Sequence, residues 1–230
     1  MRILAVDTSS AVATVAIVDG EKLVSEEILN NKLTHSETIM PMINSVLNKS
    51  ELQVSDIDVF AAVTGPGSFT GLRIGVSAVK ALAHAVNKPC VAVSTLEAMA
   101  YNFVQSDKLI CPIMDARRGE VYNAVYRFDG DVLEEVRAAR AITLEECCAD
   151  IKSIGEKTVF LGDGLPVFRD RIKELLGDLA LFAPANLNAQ MAASAAVAAR
   201  DKEQIEYTRL APVYLRKSQA ERERENRKGE

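Results

Sequence analysis

The strongest constraint on the fold of this chain is an internal repeat in its pattern of apolar runs and turns. Apolar runs ending in Asp7 and in Asp115 are each followed by a second apolar run, an Asp-Gly turn and a third run. Asp-Gly between apolar runs is a strong β-hairpin signal. A helix, a strand and a second helix follow in both halves. The chain therefore contains two copies of one β-β-β-α-β-α plan, offset by about 110 residues.

This repeat predicts an α/β fold of two duplicated lobes, each with a mixed five-stranded sheet flanked by helices and the second lobe reduced. The predicted lobes span residues 1–108 and 109–216, with a cleft between them. The remaining residues, 217–230, are charged and nearly free of apolar groups, so a disordered tail is expected there.

Periodicity places the individual elements. Strands are predicted at 3–6, 13–18, 22–29, 57–63, 91–93, 109–114, 121–128, 132–136 and 158–161. Helices are predicted at 36–47, 69–86, 96–104, 143–150, 167–176 and 189–199. Pro41 fits the first of these helices only if it lies in the first turn. Thr143 and Glu146 have the spacing of a capping box.

Composition limits the classes of function. With 230 residues, 48% of them hydrophobic, the chain can bury a sizeable core. A net charge of −5 without a basic stripe argues against an independent nucleic-acid binder. Cys90 and Cys111 lie in apolar runs and are predicted to be small core residues. The N-terminus reads as a strand, and no apolar run approaches membrane-spanning length, so we expect a cytoplasmic protein with no membrane contact.

The segment Thr64–Arg73, Thr-Gly-Pro-Gly-Ser-Phe-Thr-Gly-Leu-Arg, joins a predicted strand to a long predicted helix. Strand, glycine turn and helix together are typical of phosphate sites. The segment lacks the Lys-Ser/Thr end of a P-loop and the spacing of a dinucleotide fingerprint, and Pro66 removes one N–H. We therefore interpret it as a rigid turn that sets the direction of the helix.

The helix at 69–86 carries a stripe of mostly small residues, in which Gly75 lies well inside the helix and costs about 1 kcal/mol relative to alanine. The stripe packs either on the sheet of its own lobe or against a helix of another chain. The opposite face is also apolar, and a helix apolar on both sides is buried on both sides. The sequence thus predicts a partner interface formed by this helix and the helix at 36–47. Its predicted residues are Met40, Ile43, Leu47, Gly71, Ile74, Gly75, Ala78, Leu82 and Ala85.

Two groups of polar residues are candidates for weak nucleotide or cleft contacts. The first is Asp7, Thr8 and Ser9, which alternatively form a turn that satisfies its own N–H groups. The second is Asp115, Arg117, Arg118 and Glu120, which alternatively form a salt-bridged hairpin. Gly162-Asp-Gly164 is either an adenosine contact or a turn capped by Asp163. The two histidines, His35 and His84, have no partner at metal-ligand spacing, so no metal site is predicted.

Four stretches carry a resemblance to a known family: Asp7-Thr-Ser9, Thr64–Arg73, Asp115-Ala-Arg-Arg-Gly-Glu-Val-Tyr122 and Pro212-Val-Tyr-Leu-Arg216. The duplicated plan resembles the actin/sugar-kinase/Hsp70 (ASKHA) fold. The stretches themselves are similar to the bacterial TsaB (YeaZ) family, specifically over roughly 1–128 and again at 212–216.

The resemblance implies a non-catalytic partner of TsaD, which with the ATPase TsaE transfers a threonylcarbamoyl group to N6 of adenosine 37 of tRNA. It also implies a heterodimer with TsaD through the first-lobe helices, a homodimer when alone, and tRNA contact only through the complex. No cofactor is implied for this chain, although ATP or ADP could bind in the complex. Thr95 and Met99 occupy the positions of the metal-binding histidine pair of TsaD, so no catalytic residue is expected.

Two alternative functions remain at this point. In an ATP-dependent small-molecule kinase of the ASKHA fold, Asp7 would position a base or a metal-bound water, and the glycine turns would hold the phosphates. A metallopeptidase is disfavoured because the sequence has no HExxH motif.

Overall fold

In a computed structural model that describes residues 1–31 and 33–216, the chain forms two five-stranded sheets of the same topology. With the strands of each sheet counted along the chain, both sheets have the order third, second, first, fourth, fifth. In each sheet, the first strand of the repeat pairs antiparallel with the next strand and parallel with the fourth. The predicted α/β fold with duplicated mixed sheets is confirmed.

The elements of the first repeat are β1 (Arg2–Asp7), β2 (Ala13–Asp19), β3 (Lys22–Leu29), α1 (His35–Lys49), β4 (Val59–Gly65), α2 (Phe69–Val86), β5 (Cys90–Ser94) and α3 (Thr95–Ala100). Those of the second are β6 (Leu109–Arg117), β7 (Glu120–Asp129), β8 (Val132–Thr143), α4 (Leu144–Ile154), β9 (Thr158–Leu161), α5 (Leu165–Leu176), β10 (Ala180–Phe182), α6 (Ala185–Asn188) and α7 (Ala192–Ala198).

Helices cover both faces of the first sheet. Ile39, Ile43 and Val46 of α1 pack with Val76 and Val79 of α2 on one face, and all five are buried. On the other face, α7 and α3 pack against β1, β2 and β4. Since α3 also contacts β6 and β7, it lies between the two sheets.

Some element boundaries differ from the predictions. The helix predicted at 96–104 ends at Ala100 and continues as a single 3₁₀ turn, and α7 is shorter than the predicted 189–199. Pro41 lies in the interior of α1, because the capping box of Thr34 and Glu37 starts the helix at His35. Strand β8 extends seven residues beyond the predicted 136, since it pairs with β7 along its whole length. The capping box of Thr143 and Glu146 is present as predicted.

The end of the described chain returns to the first lobe. The alanine-rich α7 packs on β1 and β2, and Leu210 is buried in the core beneath α1 and α2. By sequence these residues belong to the predicted second lobe. They pack in the first lobe, because the apolar residues of α7 are buried against its sheet. Each helix in the described ranges is too short or too polar to cross a bilayer. The predicted tail, 217–230, lies outside those ranges.

Candidate functional site

The glycine turn between β4 and α2 is packed against the end of β1. The Ser68 N–H donates to the Ser9 carbonyl at 2.7 Å, and a side chain at Gly67 would collide with the same carbonyl. The Ser68 hydroxyl caps α2 by accepting from Gly71 N at 3.2 Å. A side chain at Gly65 would meet the Val213 carbonyl. The missing side chains of Gly65 and Gly67 thus leave room for other backbone segments of this chain. This close packing supports the interpretation of a rigid turn.

Gly71 and Gly75 of α2 also face inward. A Cβ at Gly71 would collide with the Thr8 carbonyl, and a Cβ at Gly75 with the Thr8 hydroxyl oxygen. That hydroxyl donates to the Gly71 carbonyl at 2.8 Å. The hypothesis that these glycines let a helix of another chain approach is wrong: the close neighbour is Thr8, whose side chain and carbonyl occupy the space that two methyl groups would fill.

The other predicted interface residues separate into buried and accessible ones. Ile43 and Leu47 are 1% and 6% exposed in the first-lobe core, so their assignment to an interface is wrong. They lie on the inner face of α1, which packs on β2 and β3. Accessible positions remain on both helices. This outer α1–α2 surface comprises Met40, Ile74, Ala78, Leu82 and Ala85.

The two apolar sides of α2 have different partners. Val76, Val79 and Ala83 are buried against the sheet. One flank is covered by the chain itself, since Tyr207 lies against His84 with ring centroids 4.7 Å apart and Lys80 donates to the Leu210 carbonyl. These contacts leave accessible the α2 residues that belong to the outer α1–α2 surface.

A cleft of about 500 Å³ opens between the lobes. Ser9, Ser68 and Phe69 line it from the first lobe, and Asp115 and Asp163 from the second. The predicted candidates Asp7, Ser9 and Asp115 therefore lie at or beside the cleft, whereas the Thr8 side chain points to α2.

Asp7 is fully buried at the end of β1. Burial raises the pKa of its carboxyl to about 6, and hydrogen bonds from Ser9, including one from its N–H at 2.7 Å, offset part of the rise. Desolvation by the cleft walls likewise raises the pKa of Asp163 to about 6, although its side chain keeps contact with solvent. A backbone hydrogen bond from Asp115 offsets part of this rise in the pKa, while the negative charges of Asp115 and Asp7 add to it. Asp163 does not cap α5, because Gly164 is the N-cap residue.

The hairpin between β6 and β7 forms ion pairs within the chain. Asp115 accepts from the Arg117 N–H at 2.7 Å and from its guanidinium at 3.1 Å. Glu120 pairs with Arg216 at 2.5 Å. Arg117 and Arg118 both adopt positive φ, at 69° and 59°, which is uncommon for residues other than glycine. The salt-bridged alternative for this hairpin is thus present, with Arg117 paired to Asp115 and Glu120 paired to Arg216.

The positions that correspond by resemblance to a metal-binding pair are buried in α3. Thr95 and Met99 are both 0% exposed, and Met99 packs with Ile110, Met114 and other apolar residues of the second lobe. The described residues contain no group of three His, Cys, Asp or Glu side chains arranged to hold a metal. All four cysteines are free and buried, as predicted for Cys90 and Cys111.

Two contacts near the cleft were not predicted from the sequence. Gln190, just before α7, accepts from the Ser10 hydroxyl at 2.9 Å. Arg216 reaches the second lobe, where it donates to the Ala116 carbonyl at 3.0 Å. The motif at 212–216 was visible in the sequence, but its partners lie far away along the chain and leave no local signal.

The fold and this cleft define a two-lobed protein of the ASKHA class. A family model described as "TsaD: tRNA N6-adenosine threonylcarbamoyltransferase" matches residues 22–224. The tRNA threonylcarbamoyladenosine biosynthesis protein TsaB of Bacillus subtilis is 34% identical over 96% of both chains, and that of Escherichia coli is 33% identical over 76% of both. The solved structure of YeaZ from Pseudomonas aeruginosa has a TM-score of 0.78 at 25% identity, covering 93% of this chain and 99% of that one.

This chain belongs to the TsaB (YeaZ) family, which is related to the TsaD transferases described by the matching model. A hexokinase from Thermus thermophilus, at 11% identity and a TM-score of 0.50, shares the fold alone.

Proposed function

We propose that this chain acts in the biosynthesis of threonylcarbamoyladenosine in tRNA as a partner subunit without a catalytic centre of its own. Its relatives carry the name of that pathway. The observation that carries the non-catalytic role is the burial of Met99 in an apolar cluster between the lobes. A metal-binding side chain in place of Met99 would bring a polar group among well-packed apolar side chains, which costs several kcal/mol in general.

The partner in this proposal is a TsaD-type transferase, which docks on the outer α1–α2 surface. Met40 is 48% exposed there, and Ala85 is exposed as well. Small residues on a helix surface allow another helix to approach closely, and an exposed methionine adapts to an irregular partner surface. In the absence of the transferase, the same surface pairs two copies of this chain. The ATPase TsaE and the tRNA join the assembled complex, in the cytoplasm.

Nucleotide in the cleft belongs to the assembled complex in this proposal. The Ser68 N–H of the glycine turn is already engaged by Ser9, Asp163 places a carboxyl group on the cleft wall, and the carboxyl group of Asp7 is buried beside the cleft. Like charges in a desolvated cleft repel, so the lone chain should bind ATP weakly. The kinase alternative is not favoured.

Light scattering of the chain mixed with a TsaD-type transferase at micromolar concentration tests the docking. We expect one peak with the mass of a complex, and persistent separate peaks would contradict the proposal. Calorimetry of the lone chain with Mg-ATP tests the alternative. We expect no binding in the micromolar range, whereas tight binding with turnover would identify an enzyme.

A further inference from the structure

The last described segment, from Ile205 to Arg216, follows the first lobe and ends on the second. Ile205 and Cys90 exchange two backbone hydrogen bonds of 2.8 Å at the edge of β5. The Val213 N–H then donates to the Thr64 carbonyl at 2.8 Å at the end of β4. The segment is therefore anchored to the first sheet before it reaches the cleft.

The residues after this anchor contact both lobes. The Tyr214 ring stacks on Phe69, with centroids 4.1 Å apart and planes 7° from parallel, and its hydroxyl accepts from Arg73 at 3.0 Å. Two residues further on, Arg216 donates to the Ala116 carbonyl and pairs with Glu120. Its side chain is 21% exposed, and a partly buried charged pair with a second hydrogen bond is stronger than an exposed pair.

We propose that residues 213–216, which we call the strap, act as a latch that sets the width of the interlobe cleft. Phe69 and Ala116, the contacts of Tyr214 and Arg216, both line that cleft from opposite lobes. The strap thus connects the two walls at the cleft mouth. Loss of either contact releases the β6–β7 hairpin from the first lobe and lets the cleft widen.

Gly65 is part of this arrangement. A side chain at Gly65 would collide with the Val213 carbonyl, so the turn before α2 has room for the strap only with glycine there. Nothing in the latch depends on the identity of the partner subunit. It can therefore be tested on the isolated full chain, and its failure would leave the proposed function intact.

Spin labels at Thr70→Cys and Arg118→Cys would measure the cleft mouth, because both positions are exposed on opposite sides of it and the native cysteines are buried. We expect a narrow distance distribution for the otherwise unchanged chain and a broader one, shifted to longer distances, for Arg216→Ala. Arg209→Ala is the matched control, since Arg209 lies in the same segment but pairs with Glu203 at the surface. It should leave the distribution narrow.

Two further comparisons keep the test decisive if Arg216→Ala folds poorly. Tyr214→Phe keeps the ring stack and should stay narrow, whereas Tyr214→Ala should broaden the distribution. Exchanging the charges in Glu120→Arg with Arg216→Glu re-forms the ion pair but not the hydrogen bond to the Ala116 carbonyl, so the distribution should be narrower than that of Arg216→Ala without returning fully to the original width. Unchanged distances in both Arg216→Ala and Tyr214→Ala would overturn the latch, and a charge exchange that stays as broad as Arg216→Ala would overturn the role of the Glu120 pair.

Discussion

Helices α2 and α5 occupy equivalent places in the two lobes, yet they contact their lobes differently. Each follows a glycine turn after a strand, and in each turn a glycine lies against the backbone of the central strand or of the residues just after it: Gly67 faces Ser9, just beyond β1, and Gly162 faces Ile113 within β6. Only α2 carries glycines within the helix, where Thr8 approaches it. Turn glycines are therefore a feature of both lobes, whereas Gly71 and Gly75 are required only by the close contact with Thr8 in the first lobe.

The solvent-facing sides of the two helices differ as well. The accessible residues of α2 include Ala78, Leu82 and Ala85, whereas α5 exposes mainly charged side chains such as Arg169 and Lys173. A charged helix face is stable in water, and a face of small apolar residues suits contact with another protein. The repeated fold is thus present in both lobes, and only the helix of the first carries the face of small apolar residues on which we propose that the partner docks.

The largest effect is expected at Asp7, the last residue of the central strand β1. Because the folded-state pKa of Asp7, about 6, lies above its ordinary value of 3.8, the folded chain holds a proton that the unfolded chain releases. As the pH rises from 3.8 to about 6, the ionisation of Asp7 therefore lowers the free energy of unfolding, and the whole loss is present above about pH 6. Asp7→Asn should raise the free energy of unfolding at pH 7 by about 3 kcal/mol and change it little below pH ~4.

Urea unfolding of both proteins at pH 4 and pH 7 measures this difference. Asp115→Asn is the matched control in the second lobe, where the carboxylate pairs with the exposed Arg117. It should lower the stability by less than about 1 kcal/mol. A stabilisation by Asp7→Asn that does not grow with pH would contradict the assignment of the effect to a buried carboxyl.

The glycines inside α2 should come next in size. Gly75→Ala places a methyl group against the Thr8 hydroxyl and should destabilise the chain by about 2 kcal/mol, although alanine is the better helix former. Gly164→Ala at the start of α5 meets Ile113 only at 3.2 Å and should cost less. Thermal unfolding measures both.

Thr8 provides the second half of this test. Combining Thr8→Ala with Gly75→Ala removes the hydroxyl and should recover part of the loss, whereas Thr8→Ala cannot rescue Gly71→Ala, whose methyl group meets the Thr8 carbonyl. If Gly75→Ala lowers the stability equally in the original chain and in the Thr8→Ala background, the two residues do not interact.

The outer faces of the two helices should differ in binding. Met40→Asp on the outer α1–α2 surface should weaken the complex with a TsaD-type transferase about tenfold or more, since a buried, unpaired charge is costly at an interface. Val167→Asp on α5 is the control, because Val167 is 63% exposed and apolar but lies on the second lobe. Titration calorimetry compares the two, and equal losses would contradict the docking surface.

The smallest effect is expected at the β6–β7 turn. Arg118 holds a positive φ that asparagine adopts more easily, so Arg118→Asn should raise the melting temperature slightly, corresponding to less than about 1 kcal/mol. A simultaneous loss of complex formation would indicate that Arg118 is kept for binding despite its strain. An unchanged or lower melting temperature would contradict the backbone argument.

Local patterns predicted the repeat, the sheets and the long helices, because apolar spacing and turn residues act over a few positions. They could not show which surface fills the space beside Gly75, since Thr8 approaches from another element. They also placed Ile43 and Leu47 at an interface, because periodicity gives the apolar face of α1 but not its neighbour. The three-residue β10 was missed because a strand of that length has no detectable period.

Hydrogen exchange of this chain, alone and with a TsaD-type transferase, tests the central claim that it is a docking partner rather than an enzyme. We expect slower hydrogen exchange in α1 and α2 upon binding, with the surface around Val167 unchanged. Protection confined to the cleft residues around Asp115 and Asp163, with α1 and α2 unaffected, would contradict it.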